Sequence, residues 1–87
     1  MTPKYTVSLS RQVEHFYKKL ETKVKAKVRE CLLILEDEAY SGKHLHGDLK
    51  ESYSLRVGKN LRIIYAVSET DKTVYIIAIG PRRNVYQ

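Results

Sequence analysis

The chain has 87 residues, 43% of them hydrophobic, enough for the core of one small domain and too apolar for a wholly disordered chain. Sixteen Lys and Arg against ten Asp and Glu leave a formal charge of +6, which favours a polyanionic partner: nucleic acid, anionic lipid or an acidic protein. No apolar run reaches the roughly 18 residues of a membrane span, and Met1–Tyr5 opens with no signal-peptide core. The single cysteine, Cys31, excludes an internal disulfide and a multi-cysteine zinc site, so a cytoplasmic location is expected.

Tyr5, Val7 and Leu9 alternate with Lys4, Thr6 and Ser8, the period of a half-buried strand. Ser10 is placed to cap a helix, and Val13, Phe16, Tyr17 and Leu20 follow as one apolar stripe at i, i+3, i+4 and i+7. Thr22 offers a second cap. Val24, Val28, Leu32 and Leu35 form the next stripe, which Cys31, Leu33 and Ile34 widen. Two helices so closely connected predict an αα-hairpin. Asp37 to Glu51 reads as loop, punctuated by Gly42 and Gly47.

Beyond the loop the period changes to two. Tyr53, Leu55 and Val57 alternate with Ser54 and Arg56; Gly58-Lys-Asn60 is a short turn; Leu61, Ile63, Tyr65 and Val67 alternate with Arg62, Ile64 and Ala66. A polar turn, Ser68 to Lys72, precedes the unbroken apolar run Val74–Ile79, which suits an internal strand and ends at Gly80-Pro81. The order is β-α-α-β-β-β. It predicts an α+β fold over a single domain, residues 1–87, with an antiparallel twisted sheet packed against the αα-hairpin.

The positive charge is distributed unevenly. The helical part carries six of the ten acids, so its lysines have neutralising neighbours. From Ser52 onward there are six basic residues (Arg56, Lys59, Arg62, Lys72, Arg82 and Arg83) and only two acids, Glu69 and Asp71, both in one turn. Alternation puts Arg56 and Arg62 opposite the core-facing side of adjacent strands, so the short turn brings them near each other. Four of the six are Arg, whose fork suits bidentate phosphate contacts. Tyr86 follows Arg82 and Arg83 closely and adds a phenol able to exchange a proton. Clustered arginines with one acid–base group form a minimal constellation for cleaving RNA without metal, because the phosphorane needs positive charge and the entering and leaving oxygens need proton transfer.

Four stretches then stand out together: Leu45-His-Gly47, Tyr53-Ser-Leu-Arg-Val-Gly58, Leu61-Arg-Ile-Ile-Tyr65 and Ile79-Gly-Pro-Arg-Arg-Asn-Val-Tyr86. Through them, and through element order and length, the chain resembles the RelE/ParE superfamily of toxins of type II toxin–antitoxin systems. The resemblance implies a RelE-like fold similar to small microbial ribonucleases. It implies ribosome-dependent cleavage of mRNA by 2′-hydroxyl transesterification, with no cofactor and no metal. It also implies a RelB-like antitoxin as protein partner, the ribosome and mRNA as targets, no membrane, and a toxin that is monomeric until the antitoxin joins it in a hetero-oligomer.

Residue by residue, the resemblance makes Arg62 the contact to the scissile phosphate and Arg82 the charge stabiliser beyond the last strand, with Arg83 one register away as the alternative or as an electrostatic helper. Tyr86 matches the terminal Tyr that stacks on the substrate base and takes part in proton transfer. Arg56 stands where the best-known members have the second of two strand lysines, and Lys59 adds charge for RNA in the adjoining turn. The first of those lysines is replaced by Ser54, which cannot act as a cation. A gyrase-inhibiting, ParE-like protein without chemistry of its own is the alternative implied by the superfamily, and a non-toxic antitoxin-binding relative is the third.

The remaining candidates carry less. His44 and His46 offer a two-histidine route to RNA cleavage, set against an exposed or RNA-facing loop; as metal ligands they fall short of the three or four that zinc requires. Cys31 reads as core, Glu36-Asp-Glu38 as a solvated helix end, and Lys18, Lys19 and Lys23 to Arg29 either as a solvated face or as an extension of an RNA footprint.

Overall fold

The computed structural model describes residues 3–45 and 52–81. Its elements are β1 (Thr6–Leu9), α1 (Arg11–Lys18), α2 (Thr22–Asp37), β2 (Lys43–His44), β3 (Tyr53–Val57), β4 (Leu61–Ser68) and β5 (Thr73–Pro81). The five strands form one sheet in the order β1-β5-β4-β3-β2. This is the predicted α+β arrangement with two changes. The first strand pairs with β5 in parallel, Thr6 to Leu9 against Thr73 to Ile76, so the sheet is mixed rather than antiparallel. Within the segment read as loop, Lys43 and His44 pair antiparallel with Ser54 and Tyr53. A two-residue strand has no alternation to display, and only its partner reveals it.

Ser10 caps α1 as its sequence position predicts: its Oγ accepts from the Val13 backbone N–H at 3.2 Å. The helix ends at Lys18, and the chain turns within Lys19–Glu21 while Leu20 packs against the core. That tight turn starts α2 one residue earlier than expected. Glu21 occupies the N-cap with no side-chain cap bond, and Thr22 lies inside the first turn.

Both helices cover the same sheet face. α1 lies over β5 and β1, and α2 crosses from β1 to β3. Val13, Val28 and Leu35 meet Val57, Ile63, Tyr65, Val74, Ile76 and Ile79 in one core. The apolar stripes are narrower than the sequence suggested: Phe16 on α1 is exposed, and so are Leu33 and Ile34 on α2, where Leu35 already fills the place that faces the sheet. Phe16 instead lines an open apolar groove between α1 and β5 with Gln12, Val13 and Ile77. Ile77 is the extra residue of a β-bulge, since Ile64 pairs with Ala78 and Tyr65 with Ile76.

A line of aromatic rings holds the β2 end of the sheet. Tyr65 is fully buried and stacks on Tyr53 at 5.5 Å; Tyr53 meets Tyr40 edge-on at 5.4 Å, and Tyr40 meets Tyr5 at 6.4 Å. The Tyr5 and Tyr40 hydroxyls both donate to the Glu69 carboxylate, which also pairs with Lys72 at 2.7 Å. One side chain thereby ties the start of the chain, the loop after α2 and the β4–β5 turn together.

Candidate functional site

Antiparallel pairing sets directly opposed residues on the same face of a sheet. Arg56 of β3 is directly opposite Arg62 of β4, and Arg62 is opposite Gly80 of β5. Their neighbours Val57, Ile63 and Ile79 are in the core, so both arginines project from the face that the helices leave uncovered. Gly80 carries no side chain and is buried. The β3–β4 turn is the predicted Gly58–Asn60, entered through a left-handed Gly58 at φ +61°. The Arg56 Nε donates to the Gly58 carbonyl at 3.1 Å, which holds that guanidinium at the turn. Arg56, Lys59, Asn60 and Arg62 line a small depression there.

Two guanidinium groups facing each other across a strand pair repel and cost stability. Among the described residues, neither has a carboxylate within ion-pair distance. The two acids of the sheet region are at the other end of β4, roughly 20 Å away for six residues of strand. There both are engaged: Glu69 as above, and Asp71 as acceptor of the Tyr75 hydroxyl at 2.9 Å. The bonds from Lys72, Tyr40 and Tyr5 pull the Glu69 carboxyl down to about 2, and its negative charge in turn raises the phenols of Tyr40 and Tyr5. These two acids are thus spent on structure, and among the described residues no carboxylate pairs with either arginine. The helices add one more cation, for the Lys27 side chain comes within 3.9 Å of where a Gly58 Cβ would stand.

The other predicted candidates separate cleanly. Arg82, Arg83, Tyr86 and His46 lie outside the described residues. His44 stacks on Tyr53 at 4.9 Å, on the aromatic side of the sheet and away from the arginines, so it is not part of the cluster. Cys31 is half-buried in the core fringe, where burial, and then the nearby Glu30 charge, push its thiol up. Lys18 forms an exposed i,i+4 pair with Glu14, and the Lys25 ammonium donates to the Lys18 carbonyl, so these two lysines serve the helices. Lys43 is the residue that the sequence reading left out. Its pairing with Ser54 puts it on the face of Arg56 and Arg62, and no periodicity in a two-residue strand could have signalled it.

A family model described as ParE-like toxin of type II bacterial toxin–antitoxin systems matches residues 7–87. The chain belongs to this family. Solved toxin structures agree with the assignment. A chain of the toxin–antitoxin complex RelBE2 from Mycobacterium tuberculosis is 28% identical, with a TM-score of 0.80 over 92% of this chain and 99% of that one. A chain of the archaeal RelE–RelB complex from Pyrococcus horikoshii is also 28% identical, with a TM-score of 0.75 over 94% and 99%. The isolated RelE toxin of E. coli, at 22% identity, shares the fold with a TM-score of 0.76 over 94% and 90%. No curated protein has a significantly similar sequence. This ParE-like chain is therefore a toxin of a type II toxin–antitoxin system with a RelE-like fold. Among the described residues, no helix is long and apolar enough to cross a membrane.

Proposed function

We propose that this toxin cuts mRNA on the ribosome. The observation that carries the reading is the cross-strand pair Arg56–Arg62, two cations directly opposite each other on the sheet face away from the helices, an arrangement that like charges disfavour. A fold that maintains such repulsion needs an anion to relieve it, and a phosphodiester supplies one. In the reaction the 2′-oxygen loses its proton and attacks the adjacent phosphorus. The bond to the 5′-oxygen breaks, that oxygen takes a proton, and a 2′,3′-cyclic phosphate remains. Arg62 and Arg56 hold the charge that builds on the phosphorane oxygens. Arg82, with Arg83 beside it, and Tyr86 complete the set by resemblance, Tyr86 serving proton transfer. Arginine effectively never gives up its proton, so cleavage relies on geometry imposed by the ribosome, and free RNA is a poor substrate.

The 28% identical neighbours come from a toxin–antitoxin complex and from a RelE–RelB complex, which supports a cognate antitoxin here. A basic sheet face near the exposed apolar groove at Phe16 and Ile77 suits a partner with an acidic, amphipathic segment. The ParE-like family match favours one further reading, inhibition of DNA gyrase without RNA chemistry. Inducible expression separates the two. Under the mRNA reading, translation stops before replication and cleavage sites map to codons in the ribosomal A site; replication arrest with intact mRNA establishes the gyrase reading instead.

A further inference from the structure

Two arginines supply fixed charge on this sheet face, and the edge strand β2 brings another cation to it. Three features hold this strand in place. Lys43 pairs with Ser54 and His44 with Tyr53, and the Leu45 N–H continues the ladder to the Ser52 carbonyl at 2.9 Å. The Gly42 N–H donates to the Tyr65 hydroxyl at 2.9 Å. The His44 ring lies against Tyr53 on the aromatic side. Successive side chains of a strand point to opposite faces. With His44 committed to the aromatic side, Lys43 must project from the other, the face of Ser54, Arg56 and Arg62.

The reach is sufficient. Directly opposed residues have Cβ atoms about 5 Å apart, and Arg56 is two residues, about 7 Å, along β3 from Ser54. The diagonal from Lys43 to Arg56 is therefore about 8–9 Å, which two long side chains span with room for a phosphate between their charges. Ser54 itself is buried, so the exposed side chain beside it is the one that meets a ligand on this part of the face. Ile64, Ala66 and Ala78 share the face and bring no charge. The phenol of Tyr75 is on it too, but at the far end and bonded to Asp71.

We propose that Lys43 is a further cation of the phosphate site, reaching across from β2 to contact the scissile phosphodiester that Arg56 and Arg62 hold. The inference rests on the mRNA-cleavage reading. Three cations on three adjacent strands surround a phosphate from one side and neutralise more of the transition-state charge than two can.

The test compares wild type, Lys43→Gln and Lys43→Arg in single-turnover cleavage of mRNA on programmed ribosomes, with circular dichroism and thermal melting as controls for folding. Lys43→Gln is expected to fold normally and lose about 10²-fold in rate, while Lys43→Arg keeps most of it. Binding of a 2′-O-methylated, uncleavable oligoribonucleotide gives a second readout: Lys43→Gln lowers the slope of log K against log salt by about 0.7, the share of one phosphate contact on a single strand. An unchanged rate or slope in Lys43→Gln overturns the proposal while wild-type cleavage keeps the parent reading intact. A loss in Lys43→Arg equal to that in Lys43→Gln overturns the charge role. A wild type that cleaves nothing overturns the parent reading, and the role of Lys43 with it.

Discussion

Gly42→Ala tests the joint that carries β2. A Cβ on Gly42 would stand 2.5 Å from the Tyr65 Oη and 2.8 Å from the Ser54 carbonyl oxygen. Neither neighbour can withdraw easily. Tyr65 is fully buried, with its ring stacked on Tyr53, and the Ser54 oxygen belongs to the β3 backbone. Reaching an ordinary contact of 3.4 Å requires 0.9 Å more from the hydroxyl and 0.6 Å more from the carbonyl, so β2 has to lift. Overpacking of this kind costs about 1–3 kcal/mol. The stretched Gly42 N–H to Tyr65 bond removes about 1 kcal/mol more. The sum, about 2–4 kcal/mol, lowers the melting temperature of a domain this size by about 10–25 °C. Urea and thermal unfolding followed by circular dichroism measure it. The sign is diagnostic, because Gly→Ala in open, unstrained backbone stabilises by about 0.4–1 kcal/mol. A variant as stable as wild type, or more so, refutes the packing argument. A double-mutant cycle adds a check: Tyr65→Phe alone costs about 1 kcal/mol, but in the Gly42→Ala background it removes the 2.5 Å contact and restores part of the loss.

Arg62→Ala should abolish growth inhibition, with cleavage slowed about 10²–10³-fold, while stability stays equal or rises by up to about 1 kcal/mol as the repulsion with Arg56 disappears. Full toxicity in a folded Arg62→Ala protein would remove this residue from the site. Leu35→Ala should cost about 2–5 kcal/mol in chemical denaturation, whereas Leu33→Ser, on an exposed residue of the same helix, should stay within about 0.5 kcal/mol. The Glu69 carboxyl is held near 2 against about 4.3 in the unfolded chain, so its stabilising contribution is complete above about pH 5 and is lost as the pH falls toward 2. Urea midpoints of wild type and Glu69→Gln should therefore differ at neutral pH and converge at low pH. The phenols of Tyr5 and Tyr40 are raised, so in alkaline titration their ultraviolet phenolate signal should appear later than that of an exposed tyrosine.

Where burial is one-sided and the element spans several residues, periodicity carried the reading. The alternation through Tyr53–Val57 and Leu61–Val67 put Arg56 and Arg62 on the uncovered face, and the pairing puts them directly opposite each other. Ser10 was legible because capping is a local hydrogen bond. Thr22 does not cap α2, because the tight turn after α1, and not the local preference, decides where that helix starts. Leu33 and Ile34 widen the apolar stripe in sequence yet are exposed, because apolar character alone does not say which side of a helix the sheet occupies.

By itself, then, the sequence determined the two helices and the four longer strands, the α+β class and the charge asymmetry that singles out Arg56 and Arg62, since these follow from patterns along the chain. Tertiary structure alone decided the parallel seat of β1 beside β5, the existence of β2 and the face on which Lys43 stands. It also committed Glu69 to Tyr5, Tyr40 and Lys72 at the far end of β4, away from the arginines. Each of these depends on pairing between segments distant in the chain, set by hydrogen-bond register and ring packing. A strand of two residues, or a carboxylate shared by three segments, has no local pattern from which it could be read.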